Sequence, residues 1–193
     1  MKKLRKYTKR TAPLWVLIVS IVVLLGQRYG WFDSAKQTAQ VNQPGLYRVI
    51  RFDDGDTIVV DMNGAKETIR FIGVDTPETH DPRKAVQCFG QAASNFTKTF
   101  ISTNNVRLEA DPLNTNRDRY NRLLRYVYLP NGTLVNAEII KQGYGFAYLS
   151  FPFTKAEEFR QYQTAAREQG KGLWSNCQPS ANQYGSFTSN DAQ

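Results

Sequence analysis

From Leu46 onward the hydrophobic positions come in short runs whose period changes along the chain. Alternation through Leu46, Arg48, Ile50 and Phe52 predicts a first β-strand, and residues 57–62 a second. Asn63-Gly64 between them and residues 68–74 is a hairpin dipeptide, so a third strand completes a meander. At Phe89 the period lengthens. Phe89, Ala92, Ala93, Phe96, Phe100 and Ile101 share one face of a helix that can cover the sheet. Residues 106–110 and 123–129 return to strands, the second stopped by Pro130-Asn131-Gly132. Residues 134–142 fit a short helix ending at Gly143, and Thr154-Lys155-Ala156-Glu157 has capping-box spacing for a last helix ending near Gly170 and Gly172. The pattern predicts an α+β domain: a five-stranded OB-fold β-barrel with three helices, preceded by an N-terminal hydrophobic segment. No internal repeat is visible.

The N-terminal segment is apolar from residue 14 to 25 except for Ser20, the length of a signal-peptide core and short of the roughly 20 residues of a comfortable span. Basic residues precede it, so the positive-inside rule sends the rest of the chain out of the cytoplasm. Two outcomes stay open. Cleavage would give a secreted domain. Retention would give a single-pass anchor through residues 12–32, favoured by the lack of a small-x-small pair and by Arg28, Tyr29, Trp31 and Phe32, which suit the far interface. An ordinary core helix fits poorly, because the run has no polar face. Residues 1–32 thus read as a cytoplasmic basic arm with a signal or anchor segment, 33–44 as a polar linker, 45–177 as the folded domain, and 178–193 as a disordered tail rich in Ser, Asn and Gln.

Charge changes this picture less than its total suggests. The formal net charge is +8, but seven basic residues, the last of them Arg28, precede the first acid, Asp33; +8 less seven leaves roughly +1 downstream. Nucleic-acid binding by the domain must therefore be argued from particular residues. Cys88 and Cys177 in an exported chain are most simply one disulfide, with two buried free thiols the alternative, and no Cys-x-x-Cys spacing is present. Without a heptad seam or self-complementary patch, a monomer is expected.

Candidate chemistry sits at strand ends. Asp53-Asp54-Gly55-Asp56-Thr57 reads as a turn between strands, and Val74-Asp75-Thr76-Pro77-Glu78 leaves the third strand. An EF-hand is excluded, because the position needing a bidentate Glu falls on Gly64 or Ala65. Convergent carboxylates would suit Ca²⁺, and Arg70, Arg119 and Arg122 add fixed cations able to grip a phosphate through paired N–H donors. Taken alone, Arg70 in an alternating strand reads as a solvated residue. His80, the sole histidine, reads as a loop residue, and Tyr144, Phe146, Phe151 and Phe153 as core and lid packing.

Over residues 46–174 the chain resembles the staphylococcal nuclease (thermonuclease) family. The resemblance rests on Asp54-Gly55-Asp56-Thr57, on Ile69-Arg70 with Arg70 five residues before Asp75-Thr76-Pro77-Glu78, on Asp118-Arg119-Tyr120-Asn121-Arg122, on Gly143 and on Gly172-Leu173-Trp174. It implies Ca²⁺ held by the Asp56 and Asp75 carboxylates and the Thr76 carbonyl. It implies Arg70 and Arg122 on the scissile phosphate, and Glu78 positioning or deprotonating the attacking water. Arg119, Tyr120 and Tyr148 match positions near the nucleotide. The implied activity is phosphodiester hydrolysis of DNA and/or RNA, single strands favoured, to products ending in 3′-phosphate. Asn121 stands where the family often has glycine, and Ser150 where it has an aromatic. The rival reading is a non-catalytic nucleic-acid-binding module of the same fold; an inert envelope protein gives no reason for the acid and arginine set.

Overall fold

The first strand is set in phase by its charges. With Leu46 and Ile50 inward, Arg48 would sit inside the barrel; instead Tyr47 and Val49 are buried, Leu46 is 55% exposed, and Arg48 lies opposite Asp61. The computed structural model describes residues 45–79, 85–102, 105–181 and 186–192. The basic arm, apolar run and linker, and His80, lie outside the described residues; among those described, no helix is long and apolar enough to cross a membrane.

In chain order the elements are β1 (Leu46–Asp54), β2 (Thr57–Met62), β3 (Ala65–Phe71), β4 (Val74–Asp75), α1 (Gly90–Ile101), β5 (Asn105–Glu109), β6 (Leu123–Tyr128), α2 (Val135–Lys141), β7 (Phe146–Ala147), α3 (Ala156–Glu168), α4 (Leu173–Asn176), β8 (Ser180–Ala181) and β9 (Phe187–Thr188). Five strands close a barrel in the order β1-β2-β3-β6-β5. Register shifts in β1, between Val49 and Arg51 and between Phe52 and Asp54, are the irregularities that let a strand bend around so small a barrel. All its neighbours are antiparallel except β3 and β6, which run parallel with Ile69 opposite Leu123. Ile58, Val60, Ile69, Phe71, Val106, Leu123 and Val127 fill the interior.

The predicted third strand is two. It breaks at Gly73, whose φ of 71° turns the chain and whose absent side chain makes room for Phe153; a Cβ there would lie 2.6 Å from that ring. Beyond the break, β4 leaves the barrel and pairs with β7. The predicted capping box also fails to form. The cap of α3 is Lys155, without a side-chain bond, because Thr154 donates its N–H and hydroxyl to Asp111 at 2.7 and 2.6 Å.

Asn136 on α2 is fully buried and joins β6 to the end of β3. Its Oδ1 accepts the Val127 N–H at 2.9 Å, and its Nδ2 donates to the Ile72 carbonyl at 2.9 Å. Asp111 plays a similar part, taking the Tyr126 hydroxyl at 2.6 Å and the Leu113 N–H at 2.8 Å besides Thr154. Burial pushes the Asp111 carboxyl up, but the Thr154 and Tyr126 donors outweigh it and hold the group below the ordinary aspartate range.

The tail departs from expectation. Described residues 178–181 and 186–192 are ordered: β8 pairs with β9, Gln87 bridges Asp191, and Phe187 packs between Phe146 and Trp174. Phe187, flanked in the chain by the buried Ser186 and Ser189, helps to seat a tail that composition alone marks as polar. Cys88 and Cys177 form a disulfide closing an 89-residue separation, worth about 4–5 kcal/mol on chain-entropy reasoning.

Replacing Asn136 by Ala strands the buried Val127 N–H and Ile72 carbonyl and is expected to cost about 3 kcal/mol in urea unfolding. Asp111 has a depressed folded pKa, so its contribution is present above the unfolded aspartate value and lost as pH falls through the folded one. Asp111→Asn should therefore be less stable than the parent at neutral pH, and the gap should narrow in acid unfolding curves below about pH 4.

Candidate active site

Three segments meet at one end of the barrel. The first is the turn between β1 and β2, where Gly55 lets the chain leaving β4 approach: a Cβ on Gly55 would stand 2.8 Å from the Thr76 side chain. Thr97 of α1 supports this turn by donating to the Gly55 carbonyl at 2.6 Å. Asp56, only 5% exposed, then points at the second segment. Its Oδ2 accepts the Thr76 N–H at 2.8 Å and the Thr76 hydroxyl at 3.1 Å, and its Oδ1 accepts the Thr57 hydroxyl at 3.0 Å.

Arg70 ties the two segments together. Ile69 and Phe71 face the barrel interior, so Arg70 faces out, where one nitrogen lies 2.8 Å from Asp56 Oδ2 and donates to the Val74 carbonyl at 2.7 Å. The other donates to Asp75 Oδ1 at 2.9 Å. The Arg70 side chain is 15% exposed. Burial works against its charge, but Asp56 and Asp75 more than compensate and raise its pKa.

The third segment is the loop before β6. Asp118 organises it: Oδ1 accepts the Tyr120 and Arg122 N–H groups at 2.9 and 3.0 Å, and Oδ2 takes the Arg122 side chain through Nε and Nη2, each at 2.7 Å. Burial pushes the Asp118 carboxyl up, yet the Arg122 N–H and guanidinium bring it below its ordinary value. Since Leu123 is opposite Ile69, Arg122 emerges beside the strand that carries Arg70. Asp118 and Tyr148 both lie close enough to Arg70 to act on its charge, and the Tyr148 N–H donates to the Gly73 carbonyl at 2.9 Å.

The predicted residues therefore fall into three groups. Asp56, Asp75, Thr76 and Arg70 are linked, Thr76 through Asp56 and both carboxylates through Arg70, with Arg122 and Tyr148 adjoining. Arg119 and Tyr120 are at the loop tip, where Arg119 donates to the Tyr120 hydroxyl at 2.8 Å and the Tyr120 ring is 59% exposed. Glu78 is half-buried on the far side of Pro77, its Oε1 accepting the Thr79 N–H at 3.0 Å. The neighbouring Thr79 hydroxyl donates to Asp54. Among the described residues, no group of three or more His, Cys, Asp and Glu side chains is placed to hold a metal ion.

Comparison with known proteins decides the family. The profile described as "Staphylococcal nuclease homologue" matches residues 68–176. The chain is 40% identical over 172 residues to the thermonuclease of Staphylococcus hyicus, covering 87% of this chain and 99% of that one. It is 37% identical over 167 residues to the thermonuclease of Staphylococcus intermedius, with 86% and 98% covered. Endonuclease YncB of Bacillus subtilis (strain 168) is 40% identical over 151 residues, with 77% and 69% covered. The chain belongs to the staphylococcal nuclease family. It is accordingly a nuclease, a hydrolase of phosphodiester bonds.

Within that family, Asn121 carries out the geometry a glycine would: its φ is 65°, a conformation Asn tolerates better than most side chains. At the other departure, Ser150 is exposed, but Phe151 beside it is 60% exposed and its ring centroid is 5.9 Å from that of Tyr148. Phe151 thus departs from the packing role its pattern predicts; Tyr144, Phe146 and Phe153 do pack, Tyr144 stacking on Phe96 at 4.2 Å. The sequence pattern alone assigns Asp118 no role. Its signal is nonetheless present, an Asp four residues before Arg122 at the head of a turn that places Asn in the left-handed region.

Because the Arg122 side chain holds Asp118 down in pKa, Arg122→Ala should raise the Asp118 value in a carboxyl carbon NMR titration, while the backbone donors remain. An unmoved titration would mean that the pair is not formed in solution.

Proposed function

We propose that this nuclease is exported and Ca²⁺-dependent, and that it cuts DNA and/or RNA, single strands preferentially, to products ending in 3′-phosphate. The observation that carries this reading is the charge of the cluster. Asp56, Asp75 and Asp118 set three negative charges against the two of Arg70 and Arg122, and Glu78 and Arg119 nearby add one of each sign. A phosphodiester anion would be repelled by such a site, and a divalent cation removes the excess.

The donor chemistry fits Ca²⁺. Asp56 and Asp75 come from different segments yet both reach one guanidinium, which brings their oxygens to a common neighbourhood, and the Thr76 carbonyl follows directly in the chain. Bound there, the ion would act as a Lewis acid toward a phosphoryl oxygen. The chain's own groups do the rest. Arg70 and Arg122 hold the non-bridging oxygens and stabilise the charge gathering on them, Arg122 being kept in direction by Asp118. Glu78 orients the attacking water or takes its proton. Arg119, Tyr120 and Tyr148 hold the nucleotides by charge and stacking.

Export rests on the N-terminal apolar run behind its basic arm, with release or anchoring both open, and the Cys88–Cys177 disulfide suits an oxidising compartment. A monomer of residues 45–177 with its tail is the working unit of this proposal.

The test is cleavage of single-stranded DNA by the full chain with Ca²⁺, with chelator, and in Glu78→Gln and Arg122→Ala variants. Chelator should abolish cutting, and each substitution should lower kcat by about 10²-fold or more. A folded protein that binds DNA without cutting it would replace the enzyme by the binding-module reading.

A further inference from the structure

Residues 85–88 carry nothing that the proposed chemistry uses, yet they connect Glu78 to the chain's last residues. Gln87 holds both backbone groups of Glu78: its Oε1 accepts the Glu78 N–H at 2.8 Å, and its own N–H donates to the Glu78 carbonyl at 2.9 Å. The other end of the same side-chain amide turns to the tail. Its Nε2 donates to the Ser189 carbonyl and the Thr188 hydroxyl, each at 3.4 Å.

The tail closes on this segment from the opposite side. Cys88 N–H donates to the Asn190 carbonyl at 2.7 Å, Ala192 N–H to the Val86 carbonyl at 2.8 Å, and the Ser189 hydroxyl to the Cys88 carbonyl at 3.0 Å. Two further anchors fix the tail itself. Phe187 is set against Phe146 and Trp174, and the disulfide ties Cys88 to Cys177 just before the tail begins.

We propose that Gln87 is a positioning residue for Glu78, and that residues 186–192 are the brace that holds Gln87. The inference rests on the reading of Glu78 as the group that handles the attacking water. A residue fixed at both its N–H and its carbonyl has its Cα–Cβ direction fixed too, and that direction sets where the carboxylate can reach. Displacing a reacting group by about 1 Å costs on the order of 10²-fold in rate, so a brace outside the site can govern kcat without touching substrate.

The experiment uses the full chain with three changes: Gln87→Ala, Gln87→Glu, and truncation after Pro179, which leaves the disulfide. Gln87→Ala should lower kcat on single-stranded DNA with Ca²⁺ by about tenfold or more with KM within about twofold, and should speed hydrogen exchange at the Glu78 amide. Gln87→Glu retains an acceptor for that amide and should recover most of both. Truncation should move both readings in the direction of Gln87→Ala. Unchanged kcat and unchanged Glu78 exchange in Gln87→Ala or in the truncated chain would overturn the proposal, as would equal losses in the Ala and Glu variants. Where Gln87→Ala does not fold, the truncated chain, with Gln87 in place, decides by the same two readings. Exchange is read without substrate or metal, so a parent chain that protects the Glu78 amide but never cuts DNA would refute the role of Glu78 and not the brace.

Discussion

The Arg70 guanidinium is held at 2.8 Å by Asp56, at 2.9 Å by Asp75 and at 2.7 Å by the Val74 carbonyl, with most of the side chain shielded from water. The first carboxylate comes from the turn between β1 and β2, the second from the short strand that leaves the barrel. The Asp56 side chain, 8% exposed, would not be tolerated at its depth without the cation, and removing one partner of that buried pair costs about 3–5 kcal/mol, whereas the Asp75 side chain, 44% exposed, adds a contact that solvent screens. Through the Asp56–Arg70 pair the arrangement therefore ties the turn between β1 and β2 to β3 at the barrel's end. It also explains the two local accommodations nearby. Gly55 leaves room for Thr76, and the turn at Gly73 redirects the chain so that Asp75 arrives opposite Phe146 of β7 rather than continuing along β3.

A second ionic arrangement of the same kind sits beside the first. Asp118 commits one oxygen to the backbone of its own loop and the other to Arg122, so the loop's shape and the arginine's direction are set by a single side chain. The loop needs a left-handed residue to close in this way, and Asn121 supplies it at a φ of 65°. Parallel pairing of β3 with β6 then brings the two arginines out from neighbouring strands. The carboxylates that hold them also cancel them, and Asp56, Asp75 and Asp118 against Arg70 and Arg122 leave one acid in excess, which the proposed cation would remove.

Much of this is legible in the amino-acid pattern alone. The 57–62 strand, the Asn63-Gly64 turn, the helical spacing from Phe89 and the Gly143 stop all appear where local chemistry puts them, because each is decided by residues within a few positions of one another. The exceptions depend on distant partners. The alternation through Leu46, Arg48, Ile50 and Phe52 leaves the inward face of β1 open, and the structure buries Tyr47 and Val49 with Arg48 opposite Asp61 across the strand pair. Thr154 leaves its helix for Asp111, and the polar tail finds order through Phe187 and Gln87. The candidate site follows the same rule. Its acids and arginines stand in recognisable short motifs, whereas Gln87 has no local signal, since its partners are Glu78 nine positions away and Ser189 over a hundred away.

The near-neutral charge of the domain constrains how it can hold a polyanion. A protein that bound nucleic acid by counterion release alone would spread lysines and arginines over a broad face. Here the net charge of the whole chain is carried by the N-terminal arm, and Arg70, Arg117 and Arg122 are each committed to a carboxylate. Attraction must then come from few groups used efficiently. Exposed rings are such groups, because every base has a face to stack and stacking asks for no net charge. Tyr120 and Phe151 are both more than half exposed, and Tyr148 lies between Arg70's neighbourhood and Phe151. Stacking needs bases freed from their pairing partners. On the proposed reading, a site of this composition favours single strands through the rings it presents.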